Sequence, residues 1–516
     1  MKTRWKILLA TGVGFALLTA TLLVNSHYQP TNEVEAYKKF LRDHGERLAI
    51  SEVIPPPVPA ESNSVEAVRA AFGLFTPGDT RSPYAMRPVA PGRAMVGWQQ
   101  PEIRGYDFTN SWAEFADYIA ANRAGIQQFQ AVFEKPVLDF NLEYKKGATL
   151  LLPHLAPLKR STQTLTAAAI CDLHHGDAGA AATNILTVLA LVQKNSSEGL
   201  LISHLVRLAM TAIAVAPTWE LLQATKVTDA QLAAVQNGWA QLEFLGDATN
   251  AFTVERAWGI NEIQKLRALP HAEFVAATAM RSSWAGGGSV SSSGGWDWEA
   301  MTEGARNAVG EFMWRSSWSY ADELRLLKGE STILEALRCM RTNQSQNFKA
   351  DYDAMKSRLA SLGITNVGAA LFQKLKIPDP GELFGSWDLS SSIRKTIRTE
   401  TARRLIVTAI ALKRFQLQHA KLPATLTELL PEFLSSVPID PNDGLPLRYH
   451  ANSDGTFLLY SVGEDGQDDG GDPTVTTTSS ATPSWQNDHA RDWVWPQPAS
   501  ALEIQTNYEE EAKKAK

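Results

Sequence analysis

Ile7 to Val24 form an apolar run broken only by Gly12, Gly14 and three threonines. A helix of about 18 apolar residues is the shortest that crosses the hydrocarbon core of a bilayer. A run of that length therefore constrains everything that follows, because the rest of the chain must fold on one side. Lys2, Arg4 and Lys6 precede it and no basic residue closely follows it. That asymmetry orients the N-terminus toward the cytoplasm. The expectation is a single-pass inner-membrane anchor that contacts the lipid bilayer through residues 7–24, with the bulk of the chain extracytoplasmic, in the periplasm. A cleaved signal, leaving a secreted protein, is the other reading. The run ends Val24-Asn25-Ser26-His27 without a small-x-small site, which favours the anchor.

The remainder of the 516 residues is enough for more than one core, since single cores stop growing at about 250–300 residues. The 49 basic and 55 acidic residues nearly balance and form no basic stripe, which argues against nucleic acid as a partner. Cys171 and Cys339 are the two cysteines, far apart in sequence. An exported compartment permits a disulfide between them, but spacing alone does not establish one.

Residues 1–27 are read as the anchor or signal segment. Residues 28–106 are a stalk and proline-rich extended segment. They open with a short polar helix over 28–50, and Phe72, Phe75, Tyr84 and Trp98 offer anchors onto the body. Residues 107–390 carry helical periodicity. Trp112, Phe115, Tyr118 and Ile119 recur at steps of three and four. His174-His175-Gly176-Asp177 reads as the break of a helical hairpin, with a second hairpin from Gly199 to Leu222 and Thr228 as the next N-cap. Short connections between such helices build bundles or α-solenoids. The glycine–serine stretch 282–298 reads as a tolerated surface insertion more readily than as a lid. Residues 391–498 form a C-terminal module and 499–516 a charged tail. The fold class is α+β, mostly α.

The C-terminal module begins with a long helix from about Ser392 to Ala420, stopped by Leu422-Pro423. Leu445–His450 and Thr456–Ser461 read as two strands around an Asn452-Ser453-Asp454-Gly455 turn. The acidic glycine loop Gly463 to Asp472 follows. Lys421-Leu422-Pro423, the segment DPNDGLPLRY from Asp440 to Tyr449, and YSVGEDGQDDGG from Tyr460 to Gly471 stand in that order. This order resembles the C-terminal region of type II secretion major pseudopilins, with their "gxyP", "DPwGxPYxY" and "YSxGxDGxxGG" motifs. The resemblance covers roughly residues 405–495. Two departures matter. No Phe-Thr-x-x-Glu start opens the membrane run, and a large helical body stands between the run and the module. The module therefore looks reused on a protein that is not itself a pilus subunit. The whole chain resembles large exported bacterial proteins with this tail, a resemblance that brings no known activity.

The pseudopilin loop binds calcium. By match, Asp465 and the Val462 carbonyl are ligands, Asp472 is a downstream carboxylate, and Asp468 and Asp469 sit where the family varies. Calcium takes six to eight oxygens, which clustered carboxylates and glycine-permitted carbonyls can supply. Asp465, Gln467, Asp469 and Gly470 fall at positions 1, 3, 5 and 6 of an EF-hand loop, but position 12 is Thr476, so the bidentate glutamate is missing. A solvated Asp-Gly turn is the plain alternative.

Elsewhere the chemical signals are weaker. His174, His175 and Asp177 suit a helix end better than a metal, because adjacent helical side chains diverge by about 100°. His204 and Arg207 lie one turn apart on a helix face. Glu255 with Glu262, or Glu299 with Glu303, would serve glycoside chemistry only from a cleft. Gly-x-Ser-x-Gly, His-Glu-x-x-His and Walker sequences are absent. The expected role is a membrane-anchored scaffold or interaction protein of the cell envelope, linked to secretion, with envelope protein partners and a calcium-stabilised loop. The alternative is an envelope hydrolase whose cleft gathers Glu255, His204 or Arg207.

Overall fold

The computed structural model describes residues 30–76, 80–105, 107–131, 135–284, 311–342, 346–362, 389–475 and 489–514. The apolar run 7–24, most of the glycine–serine stretch, Glu299, Glu303 and Thr476 lie outside them. The described chain is mostly helical with a few small sheets.

Helix α1 (residues 30–43) and the short α2 (Ile50–Val53) and α3 (Val65–Phe72) open the chain. The stalk expectation needs correction here. Val34, Leu41 and Leu48 are buried against Ile260 and Leu327, so α1 lies docked on the body. The proline-rich segment then forms the antiparallel pair β1 (Arg87–Ala90) and β2 (Arg93–Met95), followed by a second pair, β3 (Ile103–Arg104) and β4 (Thr109–Asn110). Phe75, Met86, Ala94, Val96 and Ile103 sink into the main core, so this segment is an integral wall of the body.

Next come α4 (Trp112–Ala121), α5 (Arg123–Gln130), α6 (Leu155–His174) and α7 (Ala178–Lys194). Ser111 and Glu114 form a capping box on α4. Gly176, at φ +78, turns the chain between α6 and α7, and the Asp177 carboxylate accepts from Ala180 N at 2.9 Å. This is the hairpin expected from His174-His175-Gly176-Asp177.

The expected second hairpin is instead one unbroken helix, α8 (Leu201–Leu222), with Pro217 inside it. Proline removes a single N–H, and α6, α7 and a later helix enclose α8 on several sides. By length and apolarity α8 is also the described helix able to cross a membrane. Here it is the central helix of the core.

Helix α9 (Asp229–Ala240) starts at the Thr228–Gln231 capping box. It is followed by α10 (Leu245–Ala268), α11 (His271–Trp284), α12 (Ser319–Arg341), α13 (Phe348–Ser361) and the long α14 (Leu389–His419). The pair β5 (Arg448–Ala451) and β6 (Phe457–Ser461) is antiparallel, with Arg448 opposite Tyr460 and Ala451 opposite Phe457. A third strand, β7 (Trp493–Val494), adds to β6, and β8 (Gln497–Pro498) pairs in parallel with β2.

The charged tail is the helix α15 (Ala501–Lys514), laid against β1 and β2 through an Arg87–Glu511 ion pair and a Tyr508 hydroxyl 3.1 Å from Met95 Sδ. One continuous core joins α3–α9 to Leu405, Ile406, Ile410 and Leu412 of α14 and to Leu459 and Trp495. The C-terminal module is thus built onto the helical body.

Candidate site in the acidic glycine loop

The loop leaves β6 at Val462, which is fully buried. Its entry is fixed from the Asp440-Pro441-Asn442 turn. Asp440 accepts from Val462 N at 2.9 Å, from the Ser461 hydroxyl at 2.8 Å and from Asn442 N at 3.0 Å. Burial raises this carboxyl above its ordinary range, and those three donors oppose the rise. Gly463 follows with φ +72, and a Cβ there would stand 2.8 Å from the Arg491 carbonyl oxygen. Only glycine fits that combination.

The sequence-predicted ligands are each committed locally. Asp465 Oδ1 accepts from Gln467 N at 3.0 Å in its own turn. Asp468 accepts from Gly470 N at 3.1 Å, the Tyr460 hydroxyl at 2.9 Å and Arg448 Nε at 3.0 Å. Desolvation would raise Asp468, but the Arg448 hydrogen bond and its other donors outweigh it and hold the carboxyl low. Asp472 Oδ1 accepts from Thr474 N at 2.9 Å, and the Thr474 hydroxyl and amide hold its carboxyl low.

Besides Arg448 on Asp468, Arg491 brings a cation to this loop. Its Nη1 lies 3.5 Å from Asp469 Oδ1 and 3.6 Å from Asp472 Oδ2. A positive charge therefore already sits between two of the predicted ligands. Among the described residues, no three His, Cys, Asp or Glu side chains converge on a point as metal ligands do.

The organising acid of the loop is one that motif reading passes over. Asp492 is fully buried, and its Oδ2 accepts from Gly471 N at 2.8 Å and Asp472 N at 3.0 Å. Burial raises its carboxyl, and these amides oppose the rise. It stands about 20 positions downstream of the loop, beside the apolar Trp493-Val494-Trp495. An acid next to such a strand is the sequence signal that marks it.

In the helical body, His204, Arg207 and Glu262 are each held by internal partners. His204 is buried with Nε2 2.9 Å from the Thr396 hydroxyl, and desolvation, with Arg207 nearby, drives its pKa down to about 3. Arg207 donates to Val192 O at 2.5 Å and Glu243 O at 2.9 Å, pairs with Asp247, and lies 4.8 Å from the Phe244 ring centroid. Glu262 pairs with Lys265 at 3.2 Å. His174 contacts Trp98 O at 2.9 Å and stacks on Trp112, while His175 contacts Cys171 O at 2.8 Å, so both serve the end of α6. Cys171 and Cys339 are free thiols.

Glu220 on α8 is a further buried acid. Its Oε1 accepts from Met86 N at 2.8 Å and Gly97 N at 2.9 Å, stitching the proline-rich segment to the core. Burial pushes its carboxyl up to about 8 despite those bonds.

A groove of about 710 Å³ runs between α7 and α9, lined by Leu186, Leu189, Ala190, Gln193, Asn237 and Gln241 among others. Its walls hold no carboxylate or imidazole, and Lys194 is the single titratable side chain in them. Compared with protein-family models, with curated proteins and with solved structures, the chain matches none.

Proposed function

We propose that this protein is a membrane-anchored extracytoplasmic scaffold of the cell envelope, with a loop at residues 462–472 that takes calcium. The observation that carries the scaffold reading is the way buried polar groups are spent. His204 Nε2 and the Arg207 guanidinium are held by internal partners, and the groove between α7 and α9 offers mainly aliphatic and amide surface. Such a groove suits holding a polypeptide or another apolar partner, because it supplies contact area with no carboxylate or imidazole in its walls. The apolar run 7–24 supports anchoring, and the pseudopilin-like tail supports a place near a secretion-like apparatus.

The calcium reading rests on the acidic side chains Asp465, Asp468, Asp469 and Asp472, the Val462 carbonyl, and the cation position marked by Arg491. The ion would compete with that guanidinium and supply a structural tie across the loop. The alternative, an envelope hydrolase, has Glu255 in its favour, since desolvation pushes its carboxyl up to about 7, where a general acid works.

Photo-crosslinking in intact cells from a benzophenone side chain placed at Ala190 tests the choice. The scaffold reading expects a discrete cross-linked envelope protein, and fractionation should place the chain in the inner membrane. A hydrolytic activity of the purified protein that Glu255→Gln removes would replace it with the enzyme.

A further inference from the structure

Two ion-pair sets fasten the segment 30–49 to the body. Lys38, itself buried, pairs with Glu323 at 2.5 Å and Glu35 at 2.9 Å, and Glu323 also pairs with Arg267. Eight residues further on, Glu46 bonds Arg256 Nη2 at 2.5 Å and Arg338 Nη2 at 3.1 Å. Val34, Leu41 and Leu48 fill the space between, on Ile260 and Leu327.

Glu323, Leu327, Glu330 and Arg338 lie on one stripe of α12, since their helical angles span less than about a quarter turn. The segment contacts three of these four directly. Glu330, between them, is buried, and its Oε2 has no hydrogen-bond partner. Arg256 is fully buried, and its Nε and Nη1 are likewise without partners, while its Nη2 is held by Glu46 and by Arg47 O at 3.2 Å. A fully buried guanidinium thus spends its bonds on the docked segment through Nη2 and keeps the three N–H groups of Nε and Nη1 in reserve.

We propose that Arg256 is the shared cation of a proton-controlled clasp: while Glu330 carries a proton, Arg256 serves Glu46 and the segment 30–49 stays docked, and when Glu330 ionises the segment lets go. An ionised Glu330 draws the reserve donors of Arg256 toward itself, which weakens the hold on Glu46. It also favours exposure to water, because a buried carboxylate is costly unless fully satisfied.

The charged groups that act on Glu330 are Glu255 and Arg256, while Lys38, Glu46 and Arg47 of the segment, Glu52 of α2, Arg267 of α10, and Glu323 and Arg338 of α12 make up the surrounding ion pairs and bonds of the clasp. Glu255 is a second raised acid in the field of Glu330, but its hydrogen bond runs to the Leu201 backbone and not to the segment, whereas Glu330 lies on the stripe that holds the segment, so Glu330 carries the switch.

The direction in pH follows. Desolvation, with Glu255 adding to it, pushes Glu330 up from 4.5 to about 8 in the docked form. A raised acid stabilises the docked form below its undocked pKa and loses that contribution as pH rises toward the docked value. Glu46 is the opposite case. Burial raises it, but its bonds to Arg338 and Arg256 outweigh that and bring it to about 2, so its contribution is fully present above 4.5. Docking is therefore tightest near pH 5 and loosens toward pH 8.

Hydrogen exchange on the full-length protein, corrected for intrinsic rates and followed by mass spectrometry at pH 5 and 8.5, tests this. Protection of residues 30–49 should fall at least tenfold at the higher pH, with α6 as an internal reference. Glu330→Gln, and Glu330→Met as a second permanently neutral variant, should each remove most of that fall. Glu46→Gln should lower protection at both pH values. Equal protection of 30–49 at both pH values in the wild type, or an undiminished fall in the neutral variants, would overturn the clasp.

Discussion

Trp219 of α8 donates its indole N–H to the carbonyl of Pro496 across 2.8 Å, and both the ring and the bond are buried. This single contact ties the centre of the helical body to the strand that precedes the C-terminal helix. With the core that the helical body and the C-terminal module share, it predicts that the two unfold as one cooperative unit. Trp219→Phe keeps most of the packing and orphans the Pro496 carbonyl, so it should cost about 1–2 kcal/mol. Trp219→Ala adds a cavity and should cost about 3–5 kcal/mol. Chemical denaturation should show one transition for both helical and near-ultraviolet signals. Separate transitions would disprove the shared core.

Glu220, the next residue, predicts a pH dependence of its own. Its carboxyl is raised from 4.5 to about 8 by burial, with the Gly97 and Met86 amides opposing. An acid raised in the folded state contributes stability that is full below about 4.5 and is lost progressively up to about 8. Glu220→Gln retains the carbonyl acceptor and cannot ionise. Its stability should fall less steeply with pH across that window, by as much as about 1.4 kcal/mol per pH unit. Urea midpoints at pH 5, 6.5 and 8 measure the difference. Parallel curves for variant and wild type would show that Glu220 is not the titrating group.

How far these features could be read beforehand depended on sequence distance. The α6–α7 turn was legible because Gly176 and Asp177 are both local signals, a positive-φ position and an N-cap. The β5–β6 hairpin was legible for the same reason, although its strands begin a little later than expected. Pairing between β2 and β8, and the third strand β7, were not, since no local pattern says which distant segment completes an edge. The docking of α1 was missed because Val34 and Leu41 make too thin an apolar stripe to distinguish a docked helix from a free polar one. In the candidate site, motif reading stops at the loop and does not reach Asp492. The carboxylate that binds the loop's own amides comes from beyond it.

That acid yields a further prediction. Asp492→Ala would leave the Gly471 and Asp472 amides without their acceptor in a part-buried pocket. An orphaned buried donor costs about 1–3 kcal/mol. Gly463→Ala should act in the same region, through positive φ and the contact with the Arg491 carbonyl, at roughly 1–2 kcal/mol. Both should raise hydrogen exchange at residues 462–475 before they affect α8. Uniform loosening of the whole chain would instead place the loop among the global supports of the fold.

Arg491 decides what calcium can do here. Its guanidinium lies between Asp469 and Asp472, so an entering ion must displace it. Binding to the native state raises stability by mass action, about 2.7 kcal/mol when the ion is a hundredfold above its dissociation constant. Calorimetric melting with calcium and with chelator should show an upward shift that Asp465→Ala with Asp469→Ala abolishes. Arg491→Ala removes the competing cation, so it should lower the unliganded melting temperature and enlarge the calcium-induced shift. If calcium leaves both the wild type and Arg491→Ala unmoved, the loop takes no calcium and the guanidinium is the permanent partner of Asp469 and Asp472.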